Sequence, residues 1–279
     1  MSKQTSSNPA NSVKEAAADA DVVYDVSEQI ATITLNRPER QNTISGTMLN
    51  AVTEYMLKAD ADRDVRAIIL AGSGKFFCAG LDLRGSDISN NLAEGQRKVP
   101  SLDLRNTPPT VMHNLNTPTL CALNGSAAGY GLDMALCCDI RVMSNGAKLA
   151  AAFTARGIVP ESGGTWILPR LLGWSKAAEL IFTGRTLSGQ ESLDLGLVSY
   201  LVDADQVLAR TREIATEIVG NAPLAVQASK RMMRMGMNET FDDHVHHVFL
   251  QLLPLMQSED FKEGMASFME RRKAEFKGN

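Results

Sequence analysis

Two glycine-rich turns stand out in this 279-residue sequence, and each comes directly after an apolar run. The first is KFFCAGLDLRG, residues 75–85, and the second is NGSAAGYGLDMALCCDI, residues 124–140. A glycine turn at the carboxyl end of a strand lets backbone N–H groups point outward. The first N–H groups of a helix lack partners within it and carry partial positive charge. Two such turns side by side can aim two donors at one oxygen, as an oxyanion hole does.

Two acidic residues are candidates for proton transfer beside these turns. Asp133 stands within the apolar stretch GLDMAL, and Glu161 within VPESGGT. A buried acid needs a partner or a role, because burying an uncompensated charge is costly. Glu161 follows Pro160 and precedes a helix predicted at Gly163, a setting that favours an ionised base. The alternatives are that Asp133 is a capping or hydrogen-bonding acid and that Glu161 is a helix N-terminal charge in solvent.

Other motifs fail on inspection. GSGK, residues 72–75, lacks the first glycine and the hydroxyl residue of a phosphate-binding loop. GYGLDM has Met134 at the third glycine position of a dinucleotide fingerprint. His244 and His247 lie three residues apart without a supporting acidic or cysteine cluster, which predicts a solvated helix face rather than a metal site. The four cysteines form no C-x-x-C pair and are predicted to be reduced, buried thiols.

The pattern of apolar residues predicts the elements that carry the two turns. Residues 30–35 alternate apolar residues with threonine and predict a half-buried strand. Residues 65–72 and 119–125 are nearly all apolar, which predicts strands covered on both faces. Strands and helices alternate, which predicts an α/β fold of stacked βαβ units with a mostly parallel core. We divide the chain into a disordered tail (1–20), an α/β core (21–202) and a C-terminal helical region (203–279).

Composition narrows the classes of protein. Hydrophobic residues make up 44% and charged residues 22%, which is typical of a globular protein. The net charge of −4 gives no indication of nucleic-acid or anionic-membrane binding. No apolar run reaches the length of a membrane helix. The first 20 residues lack the apolar core of a signal peptide and the arginine content of a transit peptide, so we expect a cytoplasmic protein.

Six segments in a fixed order resemble the crotonase superfamily, the enoyl-CoA hydratases and isomerases. They are ITLNRPERQNTIS, FFCAGLDL, ALNGSAAGYGLDMALCCDIRV, GIVPESGGTWILPRLLG, AELIFTGRTLSGQESLDLGLVSYLV and SFMERRKAEF, and the resemblance covers about residues 22–277. It implies a spiral of ββα units with a C-terminal helical trimerisation region. It also implies an acyl-CoA thioester substrate, no cofactor beyond the coenzyme A of that substrate, no metal, and a homotrimer or homohexamer.

The resemblance also assigns roles to residues. In the family the thioester carbonyl lies between two backbone amides, which match those of Leu81 and Tyr130. Most relatives carry glycine at the second position, so Tyr130 is a departure whose ring can narrow the pocket or touch the acyl chain. One hydratase glutamate matches Asp133, and the other falls on Phe153, which cannot transfer a proton. Glu161 matches the catalytic glutamate of the peroxisomal Δ3,Δ2-enoyl-CoA isomerases.

Further positions are implied to contact the substrate or its coenzyme A. Beside Phe153 they are Ala79, Asp82, Leu83, Arg84, Lys273, Phe276 and Lys277. Arg84 matches a basic residue that relatives often place on the nucleotide. Lys273, Phe276 and Lys277 match tail positions that often act from a neighbouring subunit. The alternative for each is a solvated surface charge or a packing aromatic.

Three functions follow for the chain. An acyl-CoA isomerase is favoured by Phe153 together with Glu161. An enoyl-CoA hydratase would use Asp133 with Glu161, and a non-catalytic acyl-CoA binder would use neither acid for proton transfer.

Overall fold

The structure is a computed structural model and describes residues 13–14, 20–82 and 106–279. The predicted tail therefore lies almost wholly outside the described residues. In that part of the chain two sheets hold the strands. The strands are β1 (Val13–Lys14), β2 (Val22–Ser27), β3 (Ile30–Leu35), β4 (Ala67–Gly72), β5 (Phe76–Cys78), β6 (Thr119–Leu123), β7 (Ser126–Ala128), β8 (Ile140–Ser144), β9 (Lys148–Ala150), β10 (Thr186–Ser188) and β11 (Tyr200–Val202).

The larger sheet has the order β1-β2-β3-β4-β6-β8-β11 within the described residues. The pairs from β3 to β11 are parallel, and β1, β2 and β3 pair antiparallel. The smaller sheet has the order β10-β9-β7-β5, with β5, β7 and β9 parallel. Strands β4, β6 and β8 of the larger sheet are each followed directly by a strand of the smaller one, β5, β7 and β9. This repeat confirms the predicted spiral, and it places successive turns at the same edge of the smaller sheet.

The helices of the described residues follow the strands in chain order. They are α1 (Gly46–Ala61), α2 (Pro108–Asn114), α3 (Tyr130–Cys137), α4 (Gly164–Leu172), α5 (Trp174–Thr183), α6 (Gly189–Asp194), α7 (Val207–Val219), α8 (Pro223–Gly236), α9 (Phe241–Met256) and α10 (Glu259–Glu270). Ser45 caps α1, because its Oγ accepts a hydrogen bond from the Met48 amide. Helices α7 to α10 account for most of the chain after residue 203, as the sequence predicts, but residues 271–279 are not helical. The domain boundary at residue 203 stays a prediction.

The prediction that β3 is half-buried is wrong. Its residues are almost all buried, and Thr32 is only 7% exposed. The reason is α7, whose Val207, Ile214 and Ala215 pack against the second face of the larger sheet. Thr32 Oγ1 accepts a hydrogen bond from Arg212 of that helix, so a polar residue is tolerated in the covered strand.

Two smaller points concern cysteines and membranes. All four cysteines are buried free thiols, in agreement with the prediction. No helix among the described residues combines the length and apolar character needed to cross a membrane.

Candidate active site

The two glycine-rich turns lie next to each other in the smaller sheet. They leave β5 and β7, which pair in parallel with Cys78 opposite Ala127. Gly80 has a φ of 106°, and a Cβ built on it would lie 3.1 Å from Ala128 O and 3.8 Å from the Tyr130 nitrogen. A glycine therefore allows the first turn to approach the backbone that carries Tyr130.

The backbone around Leu81 is held by a parallel bridge to Ile44. The Ile44 amide donates to Gly80 O, and the Asp82 amide donates to Ile44 O, each at 2.9 Å. In a parallel bridge of this kind the N–H of the middle residue points away from the partner strand. The Leu81 amide is thus turned away from Ile44 in a fixed orientation.

Tyr130 begins α3, so its amide is one of the N–H groups that have no acceptor within the helix. Gly129 precedes it with a φ of 52°, a conformation that favours glycine. A Cβ on Gly131 would lie 2.4 Å from Cys78 O, so only glycine lets α3 lie this close to β5. The small residues of the second turn therefore have a packing role as well as leaving the backbone bare.

Asp133 lies one turn further along α3 and is fully buried. Neither carboxyl oxygen has a hydrogen-bond partner among the described residues. Burial, and then the charge of Glu161, raise the pKa of Asp133 from 3.8 to about 7. The backbone groups of Gly164 and Ser162 lower the pKa of Asp133 and so oppose this rise. They lie near the carboxyl, but not in the geometry of a hydrogen bond. Asp133 is thus a carboxyl that readily holds a proton near neutral pH.

The start of α4 packs directly onto Asp133. A Cβ on Gly164 would lie 2.4 Å from Asp133 Oδ1 and 2.9 Å from Pro160 Cβ. Residues 160–164 therefore lie over the acid, and Glu161 within them is exposed. Ser162 Oγ donates to Glu161 Oε1 at 3.5 Å. Sequence reasoning did not single out Gly164, although the pair of glycines in ESGGT was a signal of close packing.

Two aromatic side chains line the same region. The Tyr130 side chain is buried, and its hydroxyl has no hydrogen-bond partner in the described part of the chain. Burial, and then the charge of Glu161, raise the pKa of this phenol. Phe153 is 2% exposed, and its Cε1 lies 4.0 Å from the position of a Cβ on Gly129. Where the resemblance places a second hydratase glutamate, the site thus has a hydrocarbon wall.

Other predicted substrate contacts hold the first turn in place. The Ala79 amide donates to Gln41 O at 3.1 Å. Asp82 pairs with Arg37 at 3.3 Å, so its carboxylate anchors the turn to the loop before α1. Leu83 and Arg84 lie outside the described residues.

The predicted tail contacts lie elsewhere in the chain. Phe276 O accepts a hydrogen bond from Arg66 at 2.7 Å, and the Lys277 amide donates to Asp260 at 2.7 Å. Arg66 directly precedes the amino end of β4, whereas the first turn leaves β5, which comes after the carboxyl end of β4. Lys273 lies in the same tail segment, where its carbonyl oxygen accepts a hydrogen bond from Arg272 at 3.2 Å. Contact of this tail with coenzyme A from a neighbouring subunit stays a prediction.

His244 and His247 form a cluster that the sequence did not indicate. The Nδ1 atoms of both rings lie 3.0 Å from the two carboxylate oxygens of Glu239. The His244 side chain is 24% exposed and that of His247 42% exposed, so both rings are partly solvated on a helix that has no buried residue. Across the described residues, no group of three or more His, Cys, Asp and Glu side chains is arranged to hold a metal ion.

The fold and the paired turns define a class of enzymes that act on acyl-CoA thioesters, and comparison with known proteins supports this. The family model described as enoyl-CoA hydratase/isomerase matches residues 25–279. The chain therefore belongs to the enoyl-CoA hydratase/isomerase family, which confirms the resemblance found in the sequence.

The relatives that match this chain include proteins named as hydratases and proteins named as isomerases. The chain is 34% identical over 255 residues to the short-chain-enoyl-CoA hydratase of Clostridium acetobutylicum, covering 91% of this chain and 96% of that protein. It is 29% identical over 262 residues to the 1,2-epoxyphenylacetyl-CoA isomerase of Escherichia coli, covering 92% and 98%. The crystal structure of an enoyl-CoA hydratase from Bacillus anthracis superposes with a TM-score of 0.85 at 30% identity, covering 93% of this chain and 100% of that one.

Proposed function

We propose that this enzyme is an enoyl-CoA isomerase that moves a double bond along the acyl chain of its thioester substrate. The observation that carries the proposal is the pairing of buried Asp133 with exposed Glu161 beside the turn of Tyr130, with Phe153 in place of a second hydratase acid. This pairing supplies one carboxyl that holds a proton and one that can accept one.

The first step is activation of the thioester. The carbonyl oxygen would accept hydrogen bonds from the Leu81 and Tyr130 amides, which stabilise the negative charge that forms when the neighbouring carbon loses a proton. Loss of one such donor in other enzymes costs about 3–4 kcal/mol of transition-state stabilisation. Both donors belong to the backbone, so they are fixed before the substrate binds.

The second step is proton transfer. Glu161 takes the proton from C2 of a 3-enoyl thioester, and the electron pair of that C–H bond forms a dienolate. The same carboxyl then returns the proton to C4, which leaves the double bond between C2 and C3. Asp133, whose pKa is raised to about 7, assists in its protonated form as a second acid, without adding negative charge beside the enolate.

Phe153 is the reason for favouring isomerisation over hydration. Hydration requires activation of a water molecule, normally by both carboxylates, and a phenyl ring cannot accept or donate that proton. A buried hydrocarbon at this position also disfavours water beside the dienolate.

Hydration is the second candidate, because Glu161 is close enough to Asp133 for its charge to raise the pKa of the Asp133 carboxyl. The relative from Clostridium acetobutylicum is named as a hydratase of short-chain substrates. Incubation with crotonyl-CoA separates the two functions, since the absorbance of the conjugated enoyl group falls only on hydration. A 3-enoyl-CoA gains that absorbance only on isomerisation.

Replacement of Glu161 by glutamine tests the assignment of the base. We expect Glu161→Gln to lower isomerisation of a 3-enoyl-CoA by roughly 100-fold or more, the usual contribution of a general base. Glu217→Gln, on the exposed face of α7, is the matched control and should leave turnover unchanged. Undiminished turnover of Glu161→Gln would refute the assignment.

We also propose a homotrimer or homohexamer in the cytoplasm. Helices α9 and α10 expose large apolar side chains, among them Phe241, Phe249, Leu253 and Phe268. Exposed apolar faces of this extent indicate an interface. Light scattering should then give a particle mass three or six times the chain mass of 30.2 kDa. Phe249→Asp should lower this particle mass.

A further inference from the structure

His113 and Trp166 make an aromatic contact that joins helix α2 to helix α4. Their ring centroids lie 5.1 Å apart at an interplanar angle of 75°, an edge-to-face arrangement that aromatic rings prefer. On α4 itself, the guanidinium carbon of Arg170 lies 3.8 Å from the centroid of the Trp166 ring. Arg170 also donates a hydrogen bond to the Trp166 carbonyl oxygen at 3.0 Å. The indole of Trp166 is therefore held by groups from two helices.

Trp166 belongs to the turn of α4 that packs onto Asp133. Its amide donates to the Gly163 carbonyl oxygen at 2.9 Å. A Cβ on the intervening Gly164 would lie 2.4 Å from Asp133 Oδ1. The first turn of α4 thus contacts α3 through Gly164 and α2 through Trp166. Because this turn is one hydrogen-bonded unit, a shift of Trp166 also shifts residues 160–164 relative to Asp133.

The position of Glu161 depends on the backbone of this segment. Glu161 is exposed. Within the described chain, the hydrogen bond that its side chain accepts comes from Ser162 Oγ and is long, at 3.5 Å. A carboxylate that is anchored this weakly is placed chiefly by the residues on either side of it in the chain.

The backbone that carries His113 is held by cations of α8. Arg234 donates to the His113 carbonyl oxygen at 2.7 Å. Lys230 donates to the Thr117 carbonyl oxygen at 3.0 Å and pairs with Asp139 at 2.7 Å. The last carbonyl groups of a helix lack partners within it and favour positive charge, so these contacts stabilise the end of α2. His113 therefore presents its ring to α4 from a fixed position.

We propose that His113 is a positioning residue: through its ring contact with Trp166 it holds residues 160–164 over Asp133 and so places Glu161 for proton transfer. The proposal rests on the function proposed above for Glu161. It gives a role to a histidine that lies outside the two glycine-rich turns and is contacted by the C-terminal helical region.

The charges around His113 favour its neutral form. Burial, and then the cations Arg234 and Lys230, lower its pKa below the usual 6.5, and Asp139 opposes them. Arg170 adds a further cation on the other side of the contact, over the same indole. Protonation of the imidazole places a charge among these cations, so we expect the ring contact to weaken in acid.

The first test follows the packing over Asp133 without turnover. In His113→Ala residues 160–164 lose a support, Asp133 becomes better solvated, and its pKa should fall from about 7 by roughly one unit. NMR titration of the ¹³C-labelled Asp133 carboxyl in the full-length protein measures this, and Asp133→Asn assigns the signal. His113→Phe keeps an aromatic ring and should retain the wild-type titration.

Fluorescence reports the ring contact itself. The chain has two tryptophans, Trp166 and the exposed Trp174, so Trp174→Phe leaves Trp166 as the reporter. A protonated imidazole in contact with an indole quenches its emission. Emission should therefore fall in acid with a midpoint below pH 6.5, and this change should be absent when His113→Phe is added.

Kinetics test the placement of the base. His113→Ala should lower kcat for a 3-enoyl-CoA by roughly tenfold with KM changed less than about twofold, because a small displacement of a catalytic group affects the chemical step. His113→Phe should restore most of the rate. Asn114→Ala, at the exposed neighbouring position of α2, is the matched control and should reproduce the wild type. A thermal unfolding scan verifies that each variant is folded.

The outcomes are distinct. An unchanged Asp133 titration in folded His113→Ala would overturn the proposal, and so would equal losses of kcat in His113→Ala and His113→Phe. Because the titration needs no turnover, it decides the role of His113 even where the wild type fails to isomerise a 3-enoyl-CoA. Failure of the isomerase assignment is detected separately, by the Glu161→Gln assay.

Discussion

Gly131 of α3 lies against Cys78 of β5 so closely that a Cβ at residue 131 would be 2.4 Å from the Cys78 carbonyl oxygen. This contact fixes the distance between the helix that begins at Tyr130 and the strand that leads to Leu81. The geometry of the candidate oxyanion hole therefore depends on the absence of one methyl group.

Gly131→Ala should separate α3 from β5, because the atoms that a Cβ would meet include a backbone carbonyl. We expect a loss of about 1–3 kcal/mol in the free energy of unfolding, as for overpacking in a core, and a fall in kcat. Urea denaturation and steady-state kinetics measure both. Gly146→Ala is the matched control, since nothing lies within 4 Å of a Cβ there; equal stability of the two variants would contradict the packing role.

Asp133→Asn should change how stability depends on pH. The pKa of Asp133 rises from 3.8 to about 7 on folding, so the folded state binds more protons than the unfolded state between these values. Stability of the wild type therefore falls as pH rises through this window, by roughly 2–4 kcal/mol from this residue. Urea midpoints at pH 5 and pH 8 should differ less in Asp133→Asn, and an unchanged difference would argue that Asp133 is ionised throughout.

Phe153→Glu should introduce a third acid beside the turn of Tyr130, at the position that matches the second hydratase glutamate. We expect hydration of crotonyl-CoA to increase by about tenfold or more, within the range of a general acid or base, while the protein becomes less stable because a carboxyl is buried. Phe153→Leu keeps the site apolar and serves as the control. The interpretation fails if both variants hydrate crotonyl-CoA equally.

Arg37→Ala should loosen the first turn. Arg37 bonds to Asp82 and to the Thr43 carbonyl oxygen, so its loss releases the segment that carries Leu81. A small displacement of a catalytic group lowers kcat by up to about 100-fold, and we expect a fall of roughly tenfold with KM little changed. Arg40→Ala, at a nearby exposed arginine, should have no effect on kcat.

Much of the fold could be predicted from the sequence because the signals were local. The apolar runs of β4 and β6, the serine cap of α1 and the glycine turns each occupy a few consecutive residues. The burial of β3 could not be predicted in this way, since α7, which covers it, lies about 180 residues later in the chain, as the contact of Thr32 with Arg212 shows.

The candidate site likewise has features that the sequence predicts and features that depend on long-range packing. Motif order was enough to select Glu161, Asp133 and Phe153 from the sequence. Their environment could not be predicted, because Asp133 is packed against Gly164, more than 30 residues away. The pairing of Glu239 with two histidines, outside this site, likewise depends on the turn between α8 and α9. Long-range packing sets the ionisation of a group, and spacing alone does not report it.

The placement of the candidate carbonyl-binding groups on the main chain has an evolutionary consequence. Under the proposed mechanism, any substitution at residue 130 except proline keeps the backbone N–H that binds the thioester carbonyl. The side chain at this position is therefore free to diversify. Substrate preference can then drift within a lineage while thioester activation is inherited intact.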